Sequence, residues 1–185
     1  MEQVNCIICK SDKNTLYENL SDRFNENDFF TLVKCVCGFV YLNPRPSSKE
    51  IKKHYLNINY LPHQSNVKNI FSYLYKAIQK ITFFWKRKII ESCFQSSSIN
   101  LLDVGSGDGR FLKYLQKTGD FNIFVDEPYA KHNLKCINNE LSTKFQVITL
   151  WHSLEHIHDI DKKFKLINKY IEKNGFLLIA VPNIN

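Results

Sequence analysis

The chain has 185 residues, 44% of them hydrophobic, with only 6 Gly and 5 Pro. That suits one domain with a small appendage and excludes a disordered chain. Lys and Arg (25) outnumber Asp and Glu (18), for a net charge of +7, but the excess is solvated Lys with no Arg-rich stripe, so charge alone does not argue for nucleic acid. No apolar run approaches the roughly 18 residues of a membrane helix. The start, Met1-Glu2-Gln3-Val4-Asn5-Cys6, lacks the basic and apolar regions of a secretion signal, so a soluble, cytoplasmic protein is expected. In that compartment the 6 cysteines read as thiols or metal ligands, not as a disulfide framework.

Residues 1–46 form a cysteine-punctuated unit. Cys6-Ile7-Ile8-Cys9 is one knuckle, and Cys35-Val36-Cys37-Gly38 is a second with a single intervening residue. Phe29-Phe30-Thr31-Leu32-Val33 and Phe39-Val40-Tyr41-Leu42 have strand composition. Two cysteine pairs on turns joined by strands describe a zinc ribbon, with Cys6, Cys9, Cys35 and Cys37 as ligands. Four protein ligands fill a Zn2+ site, so its expected role is structural: it supplies folding energy that so small a unit lacks.

Asn43-Pro44-Arg45-Pro46 ends the ribbon and opens a helical linker or cap over residues 47–98. Ser48 is placed to cap a short helix, Lys49 to Tyr55, before a loop at Tyr60-Leu61-Pro62-His63. Asn66 to Phe94 reads as one amphipathic helix. Its apolar stripe, Ile70, Leu74, Ala77, Ile81, Phe84 or Trp85, and Lys88 or Ile89, is expected to pack on the domain edge. The rival reading is a basic face for an acidic partner, from Lys68, Lys76, Lys80, Lys86, Arg87 and Lys88. Gln95-Ser96-Ser97-Ser98 is a polar break.

From Ile99 strands and helices alternate. Strands are expected at Ile99 to Val104, Phe121 to Val125, Leu134 to Ile137, Gln146 to Leu150 and Phe176 to Val181. Helices are expected from Arg110 to Lys117, closed by Gly119, and from Asp161 to Lys173, with Asn174-Gly175 as C-cap. Glu155 and His156 are expected to begin a helix after the fourth strand. This alternation implies an α/β class with a doubly wound, mostly parallel sheet. The domain spans residues 99–185 and ends just after its fifth strand, so it reads as truncated there.

The chemistry centres on Asp103-Val104-Gly105-Ser106-Gly107-Asp108-Gly109. A strand running into glycines and then a helix lets a ligand approach bare backbone. The third glycine of a dinucleotide fingerprint would fall on Arg110, and no G-x-x-x-x-G-K-[ST] occurs, which argues against NAD and against ATP hydrolysis. An acidic residue closing the next strand can hold both ribose hydroxyls, so the ligand reads as an adenosine without a pyrophosphate. His152-Ser153-Leu154-Glu155-His156 matches H-x-x-E-H formally, but it abuts a strand and lacks a downstream carboxylate ligand of the right kind.

Leu102 to Gly109, Val125-Asp126-Glu127-Pro128, Val147 to His156 and Asn174 to Asn183 together resemble the class I S-adenosylmethionine-dependent methyltransferases, in order and spacing. The ribbon with Gly38-Phe39-Val40-Tyr41-Leu42-Asn43-Pro44-Arg45-Pro46 resembles a bacterial subgroup associated with sugar or surface-polysaccharide modification. The resemblance implies a Rossmann-like sheet with S-adenosylmethionine held by Asp103, Gly105, Ser106 and Gly107. It also implies Glu127, with Asp126 a rival, at the ribose, and Trp151 and His152 lining the pocket floor near the sulfonium. His152 and His156 are the nearest general-base candidates, while Asn138, Asn139 and Glu140 are the options at the adenine. The implied acceptor is a small molecule or saccharide. The alternative is a catalytically impaired or fragmentary methyltransferase fold acting as a zinc-ribbon binding module. Nucleic acid is its candidate partner and is not the favoured one.

Overall fold

The computed structural model describes residues 1–22, 28–51, 70–94, 98–127, 133–137 and 142–183. The chain divides into two compact units, Met1–Lys68 and Asn69–Asn185. Among the described residues no helix is long and apolar enough to cross a membrane.

In the first unit β1 (Asn14–Ser21), β2 (Phe29–Cys35) and β3 (Val40–Leu42) form an antiparallel sheet in that order. β2 and β3 fall where strand composition placed them. β1 is an addition: its Asn and Glu residues conceal it, and a bulge between Leu16 and Glu18 breaks its alternation. Apolar burial here is slight. Among the described residues of this unit only Cys6, Val33 and Cys35 are buried hydrophobics, while Leu16, Tyr17, Phe29 and Val36 are exposed. A sheet with so little core needs another source of cohesion.

Ser47, not Ser48, makes the capping contacts after the ribbon. Its backbone N–H and hydroxyl both donate to Glu50 Oε2 (3.0 and 2.7 Å), and its carbonyl accepts from Ile51 N–H (2.9 Å). That Ser-x-x-Glu contact needs an acid three residues on, which Ser47 has and Ser48 lacks. The expected short helix beyond Ile51 and the loop at Tyr60 to His63 lie outside the described residues.

The second unit carries α1 (Ile70–Ser92), β4 (Ile99–Val104), α2 (Arg110–Thr118), β5 (Phe121–Asp126), β6 (Lys135–Cys136), β7 (Phe145–Trp151), α3 (Ile160–Tyr170) and β8 (Ile171–Ala180). The strands form one parallel sheet in the order β6-β5-β4-β7-β8. The chain leaves β4 to one side for β5 and returns to its other side for β7. The carboxyl ends of β4 and β7 therefore flank a topological switch point, where such sheets open a crevice for a ligand.

Side-chain parity divides the core. Leu101, Ile123, Val125 and Val147 pack with Ile90 of α1 and Phe111, Leu112 and Leu115 of α2. Leu102, Val104, Phe124, Ile148 and Leu150 pack on the opposite face with Ile167 and Tyr170 of α3. Both faces of the central strands are buried, as expected of a parallel sheet covered by helices.

Three expectations are corrected here. The stripe of α1 read as packing on the domain faces outward: Leu74, Ile81, Trp85 and Ile89 are 59, 58, 62 and 45% exposed. The domain side is Phe83, whose ring packs at a tilt against Phe111 and Tyr114, together with Lys86 and fully buried Ile90. Periodicity shows which residues share a face; it does not show which of two apolar faces meets the sheet. The helix expected to run to Lys173 stops at Tyr170, because Ile171 already pairs with Phe145 of β7. Asn174-Gly175 is therefore no helix cap. It lies in a bulge of β8, where a Cβ on Gly175 would stand 3.0 and 3.1 Å from the Phe145 and Gln146 carbonyl oxygens. Finally, Glu155 and His156 do begin a helical turn after the fourth strand, but Leu154–His156 is a short 3-10 turn of its own and does not run on into α3. Asp159 caps that helix by accepting from Lys162 N–H at 2.9 Å.

Candidate functional site

The turn after β4 is shaped by three glycines with positive φ: Gly105 (80°), Gly107 (56°) and Gly109 (71°), the last capping α2. Gly105 is packed from behind. A Cβ there would lie 2.4 Å from Ser153 Cβ, and the Ser153 hydroxyl donates to the Val104 carbonyl at 2.6 Å. The loop after β7 thus buttresses the turn after β4. Gly107 is open instead, with nothing within 4 Å of where its Cβ would stand. Ser106 is half-buried, and its carbonyl accepts from Gly109 N–H at 3.0 Å.

Parity brings four distant side chains to this turn. Asp103 on β4, Thr149 and Trp151 on β7 and Glu127 after β5 all fall on the face covered by α1 and α2. Asp103 is 4% exposed and accepts from the Thr149 hydroxyl at 2.5 Å. Burial pushes its carboxyl up to about 6, with Glu127 adding to the rise and Thr149 and Lys86 opposing it. Glu127 accepts from Gly107 N–H at 3.3 Å. Its neighbour Asp126 points to the other face and pairs with Lys163 of α3 at 2.5 Å. Of the two adjacent acids, Glu127 is the one at the turn.

Trp151 meets Phe111 edge to face, 6.2 Å between centroids, and its buried indole Nε1 has no hydrogen-bond partner among the described residues. An orphaned buried donor at the carboxyl end of a central strand is what a site for a polar ligand leaves when only protein atoms are counted. His152 turns the other way. Its φ of 54° is left-handed, its side chain is 60% exposed, and Nδ1 lies 3.9 Å from Glu155 Oε1. It therefore stands at the rim, apart from the group around Trp151. His156 ends the 3-10 turn that follows, and Asn138, Asn139 and Glu140 lie outside the described residues.

Sequence reasoning passed over Thr149, Ser153, Phe111 and Lys86. Thr149 had a signal, as the one hydroxyl in an apolar strand. Lys86 had another, standing at helical spacing between Phe83 and Ile90. Its Nζ lies 4.6 Å from the Trp151 ring centroid and 5.5 Å from that of Phe111.

In the first unit, both knuckles converge. Cys6 Sγ is 3.6 Å from Cys37 Sγ, Cys9 Sγ is 3.4 Å from Cys35 Sγ, and all four sulfurs lie within 4.8 Å of one another. Lys10 (φ 62°) and Gly38 (φ 90°) turn the chain back after each pair, which is how the shorter second knuckle still reaches the cluster. At Cys6 burial pushes the thiol up but is outweighed by hydrogen bonds from the Cys9 and Ile8 backbone, which bring it down to about 7. At Cys35 the Cys37 backbone N–H pulls down, and burial with the neighbouring thiols pushes the thiol up to about 12. Four thiols this close cannot all ionise without a cation among them.

The chain is similar to a ubiquinone biosynthesis O-methyltransferase of Pelagibacter ubique (strain HTCC1062), with 31% identity over 113 residues. That alignment takes in 52% of this chain and 47% of the relative, so the chain spans about half the length of the curated relative it matches. A crystal structure described as an S-adenosyl-L-methionine-dependent methyltransferase of Methanococcus maripaludis superposes with a TM-score of 0.43. It is 18% identical, over 63% of this chain and 67% of that one. The family described as methyltransferase domain matches residues 70–185, which hold the parallel sheet, the glycine turn and the residues gathered around it. The chain belongs to that family.

Proposed function

We propose that the second unit binds S-adenosylmethionine and directs its methyl group to a small-molecule acceptor. The observation that carries this reading is what stands at the strand ends of the switch point: Glu127 bonded to the open Gly107 turn, buried Asp103 held by Thr149, and Trp151 with an indole N–H that has no partner among the described residues. The residues fit the cofactor. Glu127 can take two ribose hydroxyls, the bare Gly107 backbone admits a close neighbour, and Trp151 offers an aromatic face and a free indole N–H. The cofactor, when bound, supplies a methyl group on a positive sulfur that leaves with the bonding electrons. The protein's share is to align and to keep water out, which is where the rate of an in-line displacement is gained. Phe111 and Trp151 make the apolar wall. An acceptor hydroxyl also has a proton to lose, and the exposed His152, 3.9 Å from Glu155, is the candidate general base for it.

The favoured acceptor class is a hydroxyl-bearing small molecule. This covers the saccharide suggested by the ribbon's resemblance and agrees with the O-methylation in the Pelagibacter ubique relative's name. For the first unit we propose a structural Zn2+ held by Cys6, Cys9, Cys35 and Cys37. Zinc–sulfur bonds of about 2.3 Å place the thiolates of a tetrahedral site about 3.8 Å apart, close to the observed 3.4 and 3.6 Å.

Calorimetric titration tests the cofactor assignment. S-adenosylmethionine and S-adenosylhomocysteine should each give a binding isotherm that Glu127→Ala weakens at least about tenfold, the loss expected for hydrogen bonds to a charged acceptor. Absence of binding to the wild-type chain would overturn the reading.

A further inference from the structure

A cation already stands against Trp151 and Phe111. Lys86 reaches from α1 across the rings of Trp151 and Phe111; burial pulls its pKa down, and attraction from the Asp103 carboxylate opposes that. Among the described residues it makes no hydrogen bond or ion pair within 4 Å. It is held by ring faces and by attraction from a buried acid that itself bonds Thr149. An ammonium held only this way can move on its stem of four methylene groups, because it breaks no directional bond in leaving. Aromatic faces backed by carboxylates are also what a sulfonium seeks, since both are compact cations that bind through ring quadrupoles and negative charge.

We propose that Lys86 is a built-in competitor for the positive sulfur of the cofactor. Its ammonium fills a cation seat formed by Trp151, Phe111 and Asp103, so that the chain favours the neutral-sulfur product over the charged cofactor. This deepens the cofactor assignment above and rests on it. Cofactor and product share adenosine, carboxylate and amine and differ by one methyl group and one positive charge. Any residue that touches their common parts therefore shifts both affinities together. A cation competing at the sulfur shifts their ratio.

The test measures dissociation constants of S-adenosylmethionine and S-adenosylhomocysteine by calorimetry for wild type, Lys86→Met and Lys86→Arg. Lys86→Met should strengthen cofactor binding relative to product by about fivefold or more, the scale of one cation–ring contact. Lys86→Arg, which keeps the charge, should retain the wild-type ratio. Melting curves of the three proteins, with Lys86→Gln as a second neutral variant, separate this effect from misfolding. An unchanged ratio in folded Lys86→Met and Lys86→Gln overturns the proposal, as does an equal weakening of both ligands, which would mark Lys86 as a partner of their shared carboxylate. If the wild-type chain binds neither ligand, the cofactor assignment itself falls, and this proposal with it.

Discussion

Thr149 donates a 2.5 Å hydrogen bond to Asp103 across the two strands that flank the switch point. Among the described residues no other buried group is like it: a carboxylate 4% exposed, on a strand whose neighbours Leu102 and Val104 are apolar and buried. A buried acid with one strong partner costs stability, and sites that bind ligands are where such costs persist.

That cost has a definite pH dependence. The unfolded chain releases the Asp103 proton near 3.8, whereas the native chain keeps it to about 6. Between those values the native state binds the more protons, so stability falls as pH rises through the window and the loss is complete above it. Asp103→Asn keeps an acceptor for Thr149 and removes the charge. It should be more stable than wild type at pH 7.5, by up to about 3 kcal/mol, with the advantage gone at pH 4. Urea denaturation at the two pH values measures this, and equal differences at both would refute it.

The opposed directions of Asp126 and Glu127 predict opposed phenotypes. Glu127→Gln should leave the melting temperature nearly unchanged, since the side chain sits at an open turn, and should weaken cofactor binding. Asp126→Asn breaks a largely buried pair with Lys163; it should lower stability by about 1–3 kcal/mol while binding changes little. Thermal melts and titrations on the same two proteins decide between this and the reverse assignment.

Gly105 and Gly107 should also differ. Alanine at Gly105 adds a 2.4 Å approach to Ser153 on a backbone at φ 80°, which should destabilise by at least about 2 kcal/mol. Alanine at Gly107 meets open space and only the cost of its left-handed backbone, about 1–2 kcal/mol, but its methyl projects where the ligand would lie. A folded Gly107→Ala that binds the cofactor as wild type does would place the ligand elsewhere.

The thiol cluster makes the first unit metal-dependent if it holds zinc. One equivalent of zinc should copurify, and a chelator should abolish the ordered β1-β2-β3 signal while the second unit keeps its own melting transition. Cys35→Ser, which removes a buried ligand, should behave like the chelated protein. A unit whose spectrum is indifferent to chelator and to Cys35→Ser would be held together by something other than the metal.

The sequence by itself determined whatever follows from local chemistry. β4 lies from Ile99 to Val104 as its apolar run requires, and α2 begins at Arg110 because the positive-φ glycines Gly105, Gly107 and Gly109 turn the chain before it. Cysteine pairs on turns announce their own meeting point. Pattern could not choose between alternatives of equal local quality. Only strand parity in the assembled sheet separates Glu127 from Asp126. Only contact with Phe111, Tyr114 and β4 decides that α1 offers Phe83, Lys86 and Ile90 inward while its better stripe faces out. Asn174-Gly175 has the form of a helix stop, yet pairing with β7 captured Ile171 first, and the glycine serves a close backbone approach instead. β1 stayed hidden because an exposed edge strand with a bulge carries no apolar alternation. In each case the deciding term is a long-range contact, and the cleft itself is made of them: Lys86, Asp103, Glu127 and Trp151 come from four separate segments and meet only because the sheet places their ends together.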